Sequence, residues 1–327
     1  MEFRTSFDIE PSDFRIGYNT GVMFLGSCFA SSIGEQMNIR KMPVLINPYG
    51  TIYNPESVRT AIEAVISGKE YSVNDLFNYK GTWLSFSHYT DFSSEDAGLL
   101  LERINNNRKG AEEFLRKASC LFITFGTARI YRLKDTGKPV SNCHKVPASY
   151  FTNELLSVEA ITESWSRIIK MLGEFNPELR IIFTVSPVRH WKDGAHGNQI
   201  SKSILLLAID RIREYFPSIK YFPAYELMLD DLRDYRFFND DMLHPSEKAI
   251  EYIWEKFSGT YFDKSTTELQ ARVLRITKAL NHRFITGSEN GRREFAANIL
   301  KQISDLEKHH SYIDLTRERK YFSSLSD

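Results

Sequence analysis

The chain has only three cysteines in 327 residues, Cys28, Cys120 and Cys143, an odd number at wide spacing with no CxxC pair. That argues against a disulfide framework and leaves a lone functional thiol to consider. Net charge is absent too: Lys+Arg and Asp+Glu are both 42. Nucleic acid is therefore not expected as the main partner, since phosphate binding normally leaves a basic face and a high pI. No apolar run approaches the roughly 18 to 20 residues of a membrane span. The start, MEFRTSFDIEP, has neither a charged opening with an apolar core nor a small-residue cleavage site, so the chain reads as cytoplasmic. Internal repeats and low-complexity tracts are lacking. What is present is 42% hydrophobic, 13% aromatic and 26% charged residue content. That suits a globular protein with one large domain plus an appendage, or with two domains.

Short apolar runs alternate with helical periodicity, which predicts an α/β fold with a mostly parallel sheet. The predicted strands are 22–25, 44–46, 121–125, 181–185 and a short one at 219–222. Between them, Phe29, Ile33 and Met37 mark a helix face. Val58, Ile62, Val65 and Ile66 mark another, after Asn54 as N-cap and Pro55. Ile204, Leu207 and Ala208 predict a helix to about Tyr215, and a further helix follows Pro245. Residues 68–118 read as an insertion into a domain spanning 1–263, with a strand near Trp83 and a helix over 94–117. Residues 142–152 read as a polar loop. The tail, 264–327, predicts a helical hairpin from two stripes: Leu269, Val273, Ile276, Leu280, then Phe295, Ile299, Ile303, Leu306. A break at Gly287 to Gly291 separates them. This hairpin would pack on the α/β body or on a second copy, giving a homodimer.

Three clusters follow predicted strands, where α/β sheets place their sites. In Gly26-Ser27-Cys28-Phe29-Ala30 a glycine turn opens a helix whose N–H groups can receive an oxyanion and favour a thiolate. The bland alternative is a small-residue helix start with a buried cysteine. In Asp240-Asp241-Met242-Leu243-His244-Pro245, Asp241 and His244 have the spacing for a carboxylate to orient an imidazole base; caps and surface ion pairs give the same spacing. In Gly126-Thr127-Ala128-Arg129 a glycine N–H could face the site and Arg129 could hold an anion, or the segment is a plain strand-to-helix turn. In the polar loop, Asn142 offers a side-chain N–H to an oxyanion. Cys143 and His144 are adjacent, poor spacing for zinc, and no partner pair completes four ligands; neither metal nor cofactor is expected.

Together these resemble the SGNH, or GDSL-like, hydrolase superfamily. Gly26-Ser27-Cys28-Phe29-Ala30 spells the signature of the GSCFA family placed within it. Asn47-Pro48-Tyr49-Gly50-Thr51-Ile52-Tyr53-Asn54-Pro55, Asn142-Cys143-His144-Lys145 and Ser186-Pro187-Val188-Arg189-His190 are similar to that family as well. The resemblance implies a three-layer α/β/α sandwich, flavodoxin-like, and a nucleophile–His–Asp site. It lays the nucleophile on Cys28, with Ser27 as fallback, and the base pair on Asp241 and His244. The superfamily's oxyanion glycine falls on Gly126, but its asparagine falls on Ala128, so Asn142 is the stand-in.

Three functions follow as expectations. The first is a hydrolase of an ester or thioester, on a carbohydrate or lipid, working through Cys28, His244 and Asp241. The second is an O-acyltransferase using the same site. The third is a degenerate protein that binds an acylated molecule or a carbohydrate, with Trp83, Tyr89 and Trp191 stacking on sugar rings. Arg129, His144, Arg189 and His190 are the expected substrate contacts. His190 and His196 lie in a predicted loop over 189–198.

Overall fold

The computed structural model describes residues 5–281 and 289–325. It has two compact units: one of residues up to Ile9 with Gly21–Gly34 and Val44–Phe257, the other of Glu10–Thr20, Glu35–Pro43 and Ser258 onward.

The first unit opens with β1 (Val22–Gly26), α1 (Cys28–Asn38), β2 (Val44–Ile46) and α2 (Pro55–Ile66). Asn54 caps α2 by accepting the Ser57 N–H at 2.8 Å. A small antiparallel sheet of β3 (Phe77–Tyr79), β4 (Thr82–Leu84) and β5 (Ser93–Ser94) comes next, then α3 (Ala97–Lys117) and β6 (Cys120–Phe125). A second antiparallel sheet holds β7 (Arg129–Leu133), β8 (Pro139–Val140) and β9 (Phe151–Leu155). The chain continues through α4 (Val158–Phe175), β10 (Arg180–Val185), α5 (Gly194–Tyr215), β11 (Lys220–Tyr221), the single turn α6 (Ala224–Glu226) and α7 (Glu247–Tyr261).

Five strands form the parallel central sheet in the order β2-β1-β6-β10-β11. The inner strands are buried along almost their whole length, as expected where helices cover both faces. Side chains alternate between those faces. Met23, Leu25, Leu121, Ile123, Phe183 and Val185 enter one core with the buried stripes of α2, α3, α4 and α5. Phe24 and Phe122 point the other way, where both rings meet Phe257 of α7, at 6.3 and 5.7 Å between centroids. On that face Gly34 of α1 lets the helix approach Ile46 and Phe24; an added Cβ would lie 2.8 Å from Ile46. The result is three layers.

Several predicted elements need correction. No helix follows Gly126: Arg129 begins β7, and the turn Lys134–Gly137 folds the chain back into β8. The last two residues of the expected polar loop, 151 and 152, open strand β9. Within the expected insertion, α3 contributes Leu100, Ile104, Ala111 and Leu115 to the main core. Helix α5 starts at Gly194, so His196 lies on a helix. Its buried stripe is Leu205, Ala208, Ile209 and Ile212, whereas Leu207 is exposed.

In the second unit, α8 (Lys264–Ala279), α9 (Glu289–His309) and a third helix, α10 (Thr316–Ser323), share one core. The two predicted stripes bury each other: Leu269, Val273 and Ile276 join Ala296, Ile299, Ile303 and Leu306, and Phe322 closes the cluster. Gly287 of the expected break lies outside the described residues, and Gly291 is inside α9. Among the described residues no helix is long and apolar enough to cross a membrane.

Candidate active site

In this strand order the connections from β1 and β6 leave in opposite directions, which opens a crevice at their carboxyl ends. The Ser27 and Cys28 stretch enters that crevice through Gly26, whose φ is +139° and which presses on β6: a Cβ there would lie 2.1 Å from the Thr124 carbonyl oxygen. Only glycine fits. The turn is braced by Asn47, itself at φ +42°. Its Oδ1 accepts the Gly26 N–H at 2.8 Å, and its Nδ2 donates to Ser31 Oγ at 2.8 Å.

Ser27 and Cys28 then part company. Ser27 is buried, its N–H donates to the Thr124 carbonyl at 3.2 Å, and its hydroxyl accepts the Phe29 N–H at 3.3 Å. It caps the helix. Cys28 is the first residue of α1 and half-buried. Burial pushes its thiol up. Against that, the Phe29 amide, the Lys202 charge and its own amide favour the thiolate, and the Asp241 carboxylate opposes it.

The loop ahead of α7 supplies the imidazole. Asp241 Oδ1 accepts the N–H groups of Leu243 and His244, both at 2.9 Å, and its Oδ2 meets His244 Nδ1 at 2.5 Å. Those donors, the backbone N–H groups first, hold the exposed Asp241 carboxyl down at about 2. A loop bond from Asn239 N–H to the His244 carbonyl, 2.8 Å, and Met242 at φ +58° shape the turn. Among the described residues no hydrogen bond joins His244 to Cys28.

The expected oxyanion donors are engaged elsewhere. The Gly126 N–H donates to the Tyr53 carbonyl at 2.7 Å, because the loop after β2 crosses the end of β6. Ala128, where the superfamily has asparagine, is fully buried, and its N–H donates to Ser201 Oγ at 2.7 Å. Asn142 accepts the His144 N–H at 2.8 Å and donates to Thr90 Oγ1 at 3.1 Å. His190 was expected only as a substrate contact, yet it stands at the strand ends. Its ring meets Tyr53 edge-on at 5.5 Å, and its Nε2 would lie 3.4 Å from a Cβ on Gly126. Burial first, then the Lys202 and His244 charges, hold it down at about 4, so the ring is neutral near pH 7.

The remaining predicted contacts separate. Arg129, Asn142 and His190 line a cleft of 230 Å³ with Tyr53, Tyr131, Asn153 and Lys192. Arg189 lines a different cavity with Met228 and Tyr235. His144 is buried and turned towards the segment that follows β4, with Nε2 2.8 Å from the Ser85 carbonyl oxygen. Trp83 packs against the main core, and Trp191 is exposed.

Sequence reasoning missed Lys202. This side chain of α5 is fully buried, and its Nζ donates to the carbonyls of Gly126 and Ser186, each at 2.6 Å. Burial lowers it to about 7, while the Cys28 thiolate acts to raise it. The signal was available: Lys202 falls in step with Leu205 and Ile209, a charge on the apolar face of a helix.

Fold and site together define an α/β protein with a doubly wound parallel sheet, carrying a helix-opening cysteine after β1 and an Asp-x-x-His turn ahead of α7. The chain belongs to the GSCFA family, whose model matches residues 21–257. The GSCFA domain protein, C-terminal domain, matches residues 273–325. No curated protein matches. Among solved structures, the chain is similar to an acetyl xylan esterase (Est2A) from the rumen bacterium Butyrivibrio proteoclasticus, at 13% identity and a TM-score of 0.39. That match covers 73% of this chain but only 63% of the other, less than two thirds of its length. A carbohydrate esterase family 3 structure from Talaromyces cellulolyticus matches at 10% identity and a TM-score of 0.31, covering 80% of this chain and 99% of that one.

Proposed function

We propose that the protein is a cysteine-dependent esterase of the SGNH, or GDSL-like, kind, cleaving an ester or thioester on a small molecule or carbohydrate. What supports the reading is Cys28 opening α1 on the Gly26 turn, together with the Asp241–His244 pair in the loop ahead of α7, whose carboxylate is among the charges that act on the thiol. Cys28 Sγ attacks the acyl carbon and forms a thioester. His244 takes the thiol proton as that bond forms and passes it to the leaving alcohol. His244 then takes a proton from water, which cleaves the thioester and frees the sulfur. Asp241 keeps the ring turned and stabilises its charged form. Catalytic hydrogen bonds are often long without substrate and tighten when it binds, so the unmade His244–Cys28 bond fits this state.

In the oxyanion role the Cys28 N–H at the start of α1 and His190 stand in for Gly126 and Asn142. A neutral imidazole beside the strand ends is a strong N–H donor that carries no charge of its own to be solvated.

The test is hydrolysis of p-nitrophenyl acetate by the full chain. Cys28→Ala and His244→Ala should each lower kcat/KM by about 10²- to 10⁴-fold. Wild-type activity in either variant overturns the reading. The cleft that holds Arg129, Asn142, Asn153 and Lys192 favours a polyhydroxylated group beside the acyl site, as substrate alcohol or as acceptor in transfer. Product analysis with competing sugars separates hydrolysis from transfer.

A further inference from the structure

We propose that the cleft at the end of β6 binds a sugar ring carrying an anionic group, a carboxylate or a phosphate, which Lys192 and Arg129 recognise. The inference deepens the proposed function, which gives this cleft to the substrate alcohol or the acceptor. It rests on that reading for the chemistry done there, but not for the binding.

The cleft is built on the antiparallel sheet of β7, β8 and β9. Ile130 of β7 enters the main core, so its neighbours Arg129 and Tyr131 face the other way. Tyr131 lies in register between Val140 of β8 and Asn153 of β9. These four residues line the cleft along one face of the sheet. A second wall is the short turn Trp191–Asp193, which brings in Lys192 and Asp193, with His190 just before it. His190 Nε2 would lie 3.4 Å from a Cβ on Gly126, so this wall reaches the end of β6. The two walls meet where Lys192 Nζ stands 3.4 Å from the Tyr131 hydroxyl and 5.7 Å from the centre of its ring.

The charges of the lining do not cancel. Arg129 and Lys192 are its cations, and Asp193 is its one acid. His190, held down at about 4, adds no charge near pH 7. Asp193 Oδ1 stands 3.4 Å from Arg129 Nε, yet that Nε is shut off from water and makes no hydrogen bond. Among the described residues the one hydrogen bond from the Arg129 guanidinium runs from Nη1 to Asn153 Oδ1, at 3.2 Å. Lys192 is exposed, and no carboxylate among the described residues pairs with it. One positive charge is therefore left over, and a guanidinium with N–H groups to spare stands two residues along the strand from the ring that Lys192 overhangs. A carboxylate or phosphate there gains charge-assisted hydrogen bonds from both. The cleft, at 230 Å³, is smaller than the roughly 300 to 1,000 Å³ that drug-sized ligands fill, so it holds a single ring rather than a chain. Tyr53 and Tyr131 give that ring an apolar surface. Asn153 Nδ2, which donates to no protein group among the described residues, gives its hydroxyls a donor. Apolar ring surface beside free amide and ammonium donors suits a hydroxylated, charged ring.

The test is binding, without any ester. Methyl glucoside, its uronic acid counterpart and glucose 6-phosphate are titrated into the full chain by calorimetry. At least one anionic sugar should bind about 10-fold tighter than the neutral one, the usual size of a hydrogen bond to a charged group; which of the two does so separates carboxylate from phosphate. That preference should shrink in high salt, since Lys192 is open to solvent. Equal affinity for all three, or no binding of any, overturns the proposal. Lys192→Glu, at an exposed position, should keep the wild-type urea midpoint and lose the preference for the anion. A preference that survives in Lys192→Glu places the anion elsewhere and also overturns the proposal. Anion preference in a chain that cleaves no ester sinks the proposed function alone, and hydrolysis of p-nitrophenyl acetate without anion preference sinks this inference alone.

Discussion

The Ser27 hydroxyl is buried and accepts the Phe29 N–H, which in the proposed function leaves Cys28 as the nucleophile. Ser27→Ala should cost about 0.5 to 2 kcal/mol of stability, as lost caps do, while ester hydrolysis survives. Denaturant titration and a steady-state assay check both halves, and loss of activity in a folded Ser27→Ala would move the nucleophile to Ser27. The brace on the turn is testable in the same way. Asn47→Ala leaves the Gly26 N–H buried without an acceptor, worth about 1 to 3 kcal/mol. Gly26→Ala sets a Cβ against the Thr124 carbonyl on backbone strained by about 1 to 3 kcal/mol. Both variants should lower the urea midpoint, and an unchanged midpoint contradicts the geometry. Residue type in the sequence pointed to Cys28, Asp241 and His244 as candidate groups. It did not show that the Gly126 N–H is spent on Tyr53, because a carbonyl from a distant loop leaves no mark in residue type.

Among the elements, strands β1, β6 and β10 were legible because both their faces are buried and their residues run apolar without a break. Strands β7 and β9 were not. Only Ile130 is buried in the first and only Phe151 in the second, so no period of two emerges. Helix α5 was misjudged for a related reason. Its first buried positions are filled by Asn198, Ser201 and Lys202, so the apolar stripe starts only at Leu205. Elements carrying site groups hide from hydrophobic periodicity because their buried faces are polar. The same burial sets a pH response. His88, fully buried and stacked on Tyr49 at 4.6 Å, is held down at about 3, and His190 at about 4, both chiefly by burial. The ordinary value is about 6.5, so between there and 4 or 3 the unfolded chain binds protons that the folded one refuses. Their stabilising contribution is full above about pH 6.5 and is lost as pH falls through that window. The urea midpoint should fall over this range, and less steeply in His190→Gln. An equal slope in both proteins would show that the ring takes up its proton freely.

At the scale of the whole molecule, the sheet order sets where chemistry is possible. With β1 and β6 adjacent and their connections diverging, the Gly26 turn, the Tyr53 loop and Lys202 reach one crevice from separate stretches of chain, and the proposed function adds the Asp241–His244 turn to it. The parallel α/β character of that architecture was readable from the spacing of apolar runs. The helical tail was readable as stripes, and the structure closes those stripes on each other within one chain. The most direct test of the whole account traps the covalent intermediate. The protein is mixed with p-nitrophenyl acetate, quenched in acid and digested for peptide mapping. The account predicts an acetyl group on the Cys28 peptide, removed by hydroxylamine and absent from Cys28→Ala, and an acetyl that persists in His244→Ala because the thioester is not cleaved. Acetyl on Ser27 instead, or turnover in Cys28→Ala with no labelled peptide, would contradict it.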